Sequence, residues 1–163
     1  MAVKYSRRFV LSALAGVGVT LAIRSLPARS GQARFEVAHT EAEWRARLKP
    51  EAFDVLREGG TELAESSPLD RETRPGTYAC AGCELALFDA ATKFDSGTGW
   101  PSFYAPLPHA IATKTDYVMV APRTEVHCRR CGGHIGHVFD DGPRPTGLRY
   151  CMNGVALSFH PRR

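Results

Sequence analysis

Two Cys-x-x-Cys pairs constrain the fold of this 163-residue chain more than any other feature of its sequence. Cys80-Ala-Gly-Cys83 and Cys128-Arg-Arg-Cys131 are 44 residues apart, and a glycine lies within the first pair and directly after the second. Glycine permits the sharp backbone turn that a metal-binding knuckle needs. Because four thiolates complete the closed tetrahedral shell of a structural zinc ion, the two pairs predict one zinc site that joins two distant chain segments.

The sequence leaves two other uses of these cysteines open. In an oxidising compartment the pairs could form two disulfides, or one pair could be redox-active. We favour zinc because two knuckles in one chain are a far more specific signal than one. A disulfide oxidoreductase of the thioredoxin type would also need a βαβ pattern, which the sequence does not show.

Cys151 is the fifth cysteine and is left without a partner. An unpaired thiol in an exported protein indicates reactivity, although a free cysteine is more often a small buried hydrophobe. Arg149 favours the reactive interpretation, because residues i and i+2 of a strand share a face. A guanidinium on that face would lower the pKa of the thiol and favour the thiolate.

The N-terminal residues have the pattern of a targeting segment. Arg7 and Arg8 precede an uncharged, mostly apolar run over 9–23, which is too short to cross a bilayer as an ordinary helix. We predict a twin-arginine signal segment over 1–33, followed by one domain over 34–163 that is periplasmic or otherwise exported. The alternative is an uncleaved anchor that holds the domain on the outer side of the membrane.

Most of the positive charge belongs to this segment. Residues 1–33 contain five basic side chains and no acidic one, whereas residues 34–163 contain 16 basic and 17 acidic side chains. The domain therefore lacks the basic face that binding to nucleic acid requires. Nothing in the pattern calls for more than a monomer.

The mature chain divides into a helical start and a β-rich remainder. Thr40 and Glu43 form a capping-box pattern that begins one short helix, and Pro50 and Gly59 bound a second. Residues 63–74 are polar and predict a surface loop. Strands are predicted over 77–80, 110–113, 117–121 and 149–159, the last with a turn at Asn153-Gly154. We therefore predict a mainly β fold, with a two-sheet, barrel-like antiparallel core, short N-terminal helices and zinc at one end.

Several further motifs accompany the knuckles, and each has a plain interpretation by itself. The glycine and aromatic residues would form a β-turn with core aromatics, and the histidines would be core imidazoles or extra zinc ligands. The motifs are Lys93-Phe94-Asp95-Ser96-Gly97, Gly99-Trp100-Pro101-Ser102-Phe103, Gly133-His134-Ile135-Gly136-His137-Val138-Phe139 and Arg149-Tyr150-Cys151-Met152-Asn153. Together and in this order, the motifs and knuckles resemble the methionine sulfoxide reductase B family over residues 40–163.

The resemblance implies a zinc-bearing, mainly β fold and the reduction of methionine-R-sulfoxide in oxidised proteins. By matching position, Cys151 would be the nucleophile that becomes a sulfenic acid. His134 and His137 would hold the sulfoxide oxygen and protonate it, with their roles not distinguished. Asn153 would supply an orienting hydrogen bond, and Arg149 would lower the pKa of the nucleophile.

The substrate surface is assigned to two aromatic residues in the same way. Trp100 would pack its ring against the methyl group of the substrate. Phe103 is placed on the same apolar surface.

Thr98 departs from the family pattern, because many members carry a cysteine there that resolves the sulfenic acid as an internal disulfide. With four cysteines assigned to the metal, only Cys151 remains. We therefore expect a one-cysteine enzyme, regenerated by an external thiol or by a thioredoxin- or glutaredoxin-like protein.

Two other protein classes explain less of the sequence. A non-catalytic zinc-bound structural or interaction module would account for the knuckles but would give Cys151 and the two histidines no role. A zinc hydrolase or deaminase needs an open zinc position and a nearby His-x-Glu, and the chain lacks that partner for its knuckles.

Overall fold

The structure is a computed structural model that describes residues 35–117 and 121–162. The signal segment predicted over 1–33 lies outside the described residues. Within the described ranges, no helix is long and apolar enough to cross a membrane.

Two short helices, α1 (Glu41–Arg47) and α2 (Pro50–Glu58), begin the described chain. The predicted capping box of α1 is present, because the Thr40 side chain accepts the Glu43 N–H and the Glu43 carboxylate accepts the Thr40 N–H at 2.7 Å. α2 ends at Gly59, whose φ of 75° is the left-handed conformation that glycine adopts without strain. Both helix predictions are confirmed.

Nine strands are found in the described part of the chain, and they form two antiparallel sheets. The strands of the smaller sheet are β1 (Gly76–Cys80), β2 (Ala86–Asp89) and β9 (Leu157–Pro161), in the order β2-β1-β9. The strands of the larger sheet are β3 (Lys93–Phe94), β4 (Ser102–Phe103), β5 (Ile111–Asp116), β6 (Arg123–Cys128), β7 (His134–Phe139) and β8 (Arg149–Met152). Their order is β3-β4-β8-β7-β6-β5. The predicted mainly β, antiparallel, two-sheet architecture is confirmed.

The strand predictions are correct in place more often than in extent. The predictions over 77–80 and 110–113 correspond to β1 and β5, and the prediction over 149–159 corresponds to β8 and β9. A short 3-10 helix (Gly154–Ala156) replaces the simple turn predicted at Asn153-Gly154. The strand predicted over 117–121 is wrong at its two described ends, which lie outside any strand, and 118–120 lie outside the described residues.

One hydrophobic cluster joins the helices to both sheets. Phe88 and Phe103 stack with ring centroids 4.4 Å apart, and Tyr78 meets Phe103 edge-on at 4.9 Å. Trp44 from α1 and the fully buried Met152 from β8 belong to the same cluster. Because burying one phenylalanine contributes roughly 1.5–3 kcal/mol, these aromatic contacts hold the sheet that carries the candidate site in a fixed position.

Candidate active site and metal centre

The four cysteines of the two pairs form one cluster, as predicted. Their sulfur atoms all lie within 4.8 Å of one another, with Cys80 Sγ 3.7 Å from Cys131 Sγ and Cys83 Sγ 3.5 Å from Cys128 Sγ. Four thiolates bound to zinc at about 2.3 Å form a tetrahedron whose edges are about 3.8 Å long. The cluster therefore has the size of a tetrahedral metal site, and the cysteines form no disulfide.

The knuckles place this cluster between the two sheets. The Cys80 carbonyl, at the end of β1, accepts the N–H groups of Cys83 and Glu84 at 3.2 and 2.8 Å. The Cys128 carbonyl, at the end of β6, accepts the Gly132 N–H at 2.8 Å. Because β1 belongs to the smaller sheet and β6 to the larger one, a metal ion held here would join the sheets.

Cys151 lies in the middle of the larger sheet. The register of β8 pairs Cys151 with His137 on β7 and with Ser102 on β4. His137 is in turn paired with Glu125 on β6. Directly opposed residues place their side chains on the same face of a sheet, with Cβ atoms about 5 Å apart. A thiol, a hydroxyl, an imidazole and a carboxylate therefore form one row across the sheet.

A small cavity of about 130 Å³ opens beside this row. Its lining residues are Thr61, Trp100, Arg123, Gly136, His137, Phe139, Cys151 and Asn153. Four of the predicted site residues are thus brought together here: Cys151, His137, Asn153 and Trp100. The indole and phenyl rings give the cavity an apolar wall opposite a nucleophilic group, which suits a small apolar substituent next to a reactive atom.

The thiol of Cys151 experiences opposing influences. Burial is the largest, and it raises the pKa of Cys151 above its ordinary value. The Thr98 hydroxyl, 3.9 Å from Cys151 Sγ, and the Arg149 guanidinium both lower that pKa. The predicted effect of Arg149 therefore has the right sign, but the effect of burial is larger, so the pKa of Cys151 lies above its ordinary value. Arg149 is itself held by two hydrogen bonds to Asp141, at 2.8 and 2.7 Å.

A chain of hydroxyl groups continues from the thiol. Thr98 Oγ1 lies 2.8 Å from Ser96 Oγ, which lies 2.8 Å from Ser102 Oγ. Among the described residues, Cys151 Sγ contacts this Thr98 hydroxyl and no second thiol. Thr98, where the chain departs from the family pattern, is therefore adjacent to the Cys151 sulfur.

His137 is anchored by a carboxylate on the edge strand β5. Its Nε2 lies 2.8 Å from Asp116 Oδ2, and the same oxygen accepts a hydrogen bond from Arg123 Nη2 at 2.8 Å. A carboxylate against a ring nitrogen orients the imidazole and favours a proton on that nitrogen. His137 is therefore a fixed group at the cavity wall.

His134 lies behind His137, with the two ring centroids 5.3 Å apart. Its Nδ1 is 3.2 Å from Glu125 Oε1, while its buried Nε2 has no hydrogen-bond partner among the described residues. Burial lowers the pKa of His134, which favours the neutral imidazole. The structure places His137, and not His134, among the residues that line the cavity.

Asn153 is engaged on both sides of its side-chain amide. Its Oδ1 accepts the Glu62 N–H at 3.0 Å, and its Nδ2 donates to the Ile135 carbonyl at 3.0 Å. Asn153 thus ties the end of β8 to β7 and to the connection before β1 while also lining the cavity. Both hydrogen bonds of the Asn153 amide are made to backbone groups of the protein, and they hold these segments in place around the cavity.

The placement of Phe103 on the substrate surface is corrected. Ser102 faces the row that contains Cys151, and because side chains alternate along a strand, Phe103 points to the opposite face. There it is fully buried between Phe88 and Tyr78. Phe139 lines the cavity in its place, and its position two residues after His137 is the period-2 signal that could have revealed it.

Sequence reasoning also missed residues of the connection between α2 and β1. Thr61 lines the cavity, and the carbonyl of the next residue, Glu62, accepts a hydrogen bond from Trp100 Nε1 at 3.2 Å. No periodicity or motif signals this role, because it depends on backbone groups that meet residues far away in the sequence.

A nucleophilic thiol beside an anchored imidazole in a small cavity, together with a separate four-cysteine metal centre, defines a thiol-dependent oxidoreductase. The family model described as the SelR domain matches residues 48–161. The chain therefore belongs to the methionine sulfoxide reductase B family, as its motifs indicated.

Individual relatives agree with this assignment. The chain is 52% identical over 124 residues to the peptide methionine sulfoxide reductase MsrB of Thiobacillus denitrificans, covering 76% of this chain and 94% of that protein. The MsrB of Pseudomonas putida is 53% identical over 130 residues, covering 78% and 96%. The peptide methionine sulfoxide reductase B1, chloroplastic, of Arabidopsis thaliana is 50% identical over 122 residues, covering 74% and 60%.

Proposed function

We propose that this protein reduces protein-bound methionine-R-sulfoxide to methionine through Cys151. The observation that carries the proposal is the cavity of about 130 Å³, a side-chain-sized space that Cys151, Trp100 and His137 line together. The names of the relatives supply the substrate class, peptide methionine sulfoxide. The methyl group of the substrate packs on the indole, which leaves the sulfur open to the thiol.

In the first half-reaction, the Cys151 thiolate attacks the sulfoxide sulfur. His137, acting as an imidazolium, gives its Nδ1 proton to the sulfoxide oxygen, while Nε2 keeps the proton that points at Asp116. The sulfur–oxygen bond of the substrate breaks, and the oxygen is transferred to Cys151 as a hydroxyl group. Methionine leaves reduced by two electrons, and Cys151 is oxidised to the sulfenic acid.

In the second half-reaction, an external thiol attacks the sulfenic acid of Cys151. Water leaves, a mixed disulfide forms, and a second thiol releases the Cys151 thiol as the external disulfide forms. The contact between Thr98 and Cys151 supports this one-cysteine cycle, because a hydroxyl cannot form the internal disulfide. Glutathione, another small thiol or a thioredoxin- or glutaredoxin-like protein supplies the two electrons.

The metal that best fits the four-cysteine cluster is zinc, which we assign a structural role. Thiolate ligands favour zinc, and a shell of four leaves no position for a substrate. We also propose export by the twin-arginine route, supported by Arg7-Arg8 before the apolar run over 9–23. A chain exported after folding would acquire zinc while still in the reducing cytoplasm.

Turnover of peptides containing each epimer of methionine sulfoxide, with dithiothreitol as reductant, tests the proposed function. We expect the wild type to consume the R epimer and spare the S epimer, and Cys151→Ser to consume neither. The metal content of both proteins is measured as the control for folding. If zinc-loaded wild type consumes neither epimer, the proposal is wrong and a non-catalytic zinc module becomes the leading function.

A further inference from the structure

Glu62 makes more contacts around the cavity than any sequence pattern would indicate. Its N–H donates to Asn153 Oδ1 at 3.0 Å, and its carbonyl accepts from Trp100 Nε1 at 3.2 Å. Its carboxylate accepts the N–H groups of Gly154 at 2.6 Å and Val155 at 2.9 Å. A residue in the connection between α2 and β1 is thus bonded to two cavity-lining residues, Trp100 and Asn153, and to the first turn that follows β8.

The carboxylate is in a favourable place for an anion. Gly154 and Val155 begin the 3-10 helix Gly154–Ala156, and the N–H groups at the start of a helix have no partner within the helix. The two oxygens of Glu62 satisfy one such group each. Hydrogen bonds between a charged acceptor and backbone N–H groups are stronger than those between neutral groups, so this contact fixes the Glu62 backbone.

The connection between α2 and β1 also packs directly against the 3-10 helix Gly154–Ala156 and against the backbone that precedes Trp100. A Cβ atom at Gly154 would overlap the Ser67 side chain, which shows how closely the connection approaches the 3-10 helix. The Glu65 N–H donates to the Gly99 carbonyl at 2.7 Å, next to Trp100. The same connection therefore holds the Trp100 indole in two ways: it bonds the indole Nε1, and it bonds the backbone of Gly99, the residue before Trp100.

We infer that Glu62 is a positioning residue for the substrate cavity. Its carboxylate fixes the Thr61–Glu62 backbone on the end of β8, and the fixed Glu62 carbonyl holds the Trp100 indole at the distance from Cys151 that one sulfoxide side chain needs. Glu62 is not among the residues that line the cavity, so it acts through Trp100 and Thr61 and does not touch substrate. The expected change in KM rests on the proposed function. The expected change in the surroundings of Trp100 can be measured without turnover.

The test compares Glu62→Gln with Glu65→Gln, a matched variant in the same connection. The Glu65 carboxylate is exposed and forms a 3.9 Å ion pair with Arg71, so its substitution leaves the backbone contact with Gly99 in place. Both variants are made in a Trp44→Phe background, because Trp44 and Trp100 are the two tryptophans of the chain and the emission then reports on Trp100 alone.

We expect Glu62→Gln to raise the KM for a methionine-R-sulfoxide peptide about tenfold, the equivalent of one lost hydrogen bond, with a smaller change in kcat. Its Trp100 emission should move to longer wavelength and be quenched more strongly by iodide, while the rate of Cys151 alkylation stays unchanged. Glu62→Asp, which keeps the charge on a shorter side chain, should give an intermediate KM and replaces Glu62→Gln if that variant does not fold.

A KM and a Trp100 emission equal to those of Glu65→Gln would overturn the inference, whether or not the melting temperature falls. The two proposals fail separately. Absence of turnover in the wild type contradicts the proposed function, whereas an unchanged Trp100 emission in Glu62→Gln contradicts the positioning role.

Discussion

The reactivity of Cys151 depends on a balance among a few neighbouring groups. Burial beside the cavity raises the pKa of the thiol, and the Thr98 hydroxyl and the Arg149 guanidinium act against it. The position of Arg149 is in turn fixed by its ion pair with Asp141. Because burial raises the pKa of Cys151, the rate at which the thiol reacts depends on how far these neighbours stabilise the thiolate.

Arg149→Met removes one of the groups that lower the Cys151 pKa, the others being the Thr98 and Ser102 hydroxyls. We expect the pH profile of Cys151 alkylation by iodoacetamide to move to higher pH and the rate at pH 7 to fall several-fold, because the thiolate loses its nearby positive charge. The measurement is site-resolved mass spectrometry of the zinc-loaded protein. Arg162→Met, which removes an exposed ion pair with Asp89, should leave the profile in place. A shift to lower pH in Arg149→Met would contradict this prediction.

Thr98→Cys tests the one-cysteine cycle. The 3.9 Å contact between Thr98 Oγ1 and Cys151 Sγ lies within the reach of a disulfide after a small backbone adjustment. After one turnover without reductant, mass spectrometry should find an internal disulfide between positions 98 and 151 in this variant. The wild type, given glutathione, should carry glutathione on Cys151. An internal disulfide in the oxidised wild type would mean that a cysteine of the metal cluster acts as the resolving thiol.

At the scale of the elements, the larger sheet assembles the site by register. β4, β8, β7 and β6 each contribute one residue to the row that contains Cys151, and the edge strand β5 adds the carboxylate that holds His137. A shift of one residue in any of these strands would turn its contribution to the opposite face. The chemistry therefore depends on strand pairing as much as on residue identity.

Asp116→Asn tests the anchoring of His137. An amide in place of the carboxylate no longer favours a proton on Nε2, and general acid catalysis is typically responsible for about 10²–10⁴ in rate. We expect kcat for the R epimer to fall by at least about tenfold, with KM changing much less. Asp140→Asn, at an exposed position just beyond β7, is the control and should retain full kcat. A normal kcat in Asp116→Asn would exclude Asp116 from the mechanism.

Features that depend on residues close together in the sequence were predicted correctly, and features that depend on distant residues were not. The cysteine pairs, the capping box and the Gly59 helix end are local patterns, and the structure places them as expected. β7 was not predicted as a strand, because the irregular register between β6 and β7 breaks the alternation of its side chains.

The same reasoning explains the errors within the site. Phe103 was placed on the wrong face, because the face of a two-residue strand is set by its neighbours rather than by its own sequence. Glu62 was missed, because its partners lie 38 to 93 residues away and its role uses backbone groups as well as a carboxylate.

At the scale of the whole molecule, the four-cysteine cluster joins the two sheets. Cys80 ends β1 of the smaller sheet, and Cys128 ends β6, the neighbour of the strand that carries His137. Without a metal, four thiols whose sulfur atoms lie within 4.8 Å of one another would have to be accommodated in a largely buried position. A metal ion held here would therefore support both the fold and the register of the strand that carries His137.

Cys128→Ser and removal of the metal by a strong chelator should have similar effects. We expect about one zinc per chain in the wild type, its loss on either treatment and a large fall in melting temperature, because structural zinc contributes directly to folding free energy. Cys151→Ser lies outside the cluster and should keep both the zinc and the wild-type melting temperature. An unchanged melting temperature after complete loss of zinc would contradict the structural role.

Met152 follows Cys151 directly in β8, and it is the one methionine within the described ranges. Its side chain has no solvent exposure, whereas the thiol beside it is only partly buried. An oxidant that reaches this part of the surface therefore encounters first the Cys151 sulfur, whose oxidation a thiol would reverse in each cycle of the proposed reaction. The thioether next to it, whose conversion to a polar sulfoxide would disrupt the core, is shielded by the fold itself. In this way Met152 is kept from becoming a substrate of the protein that carries it.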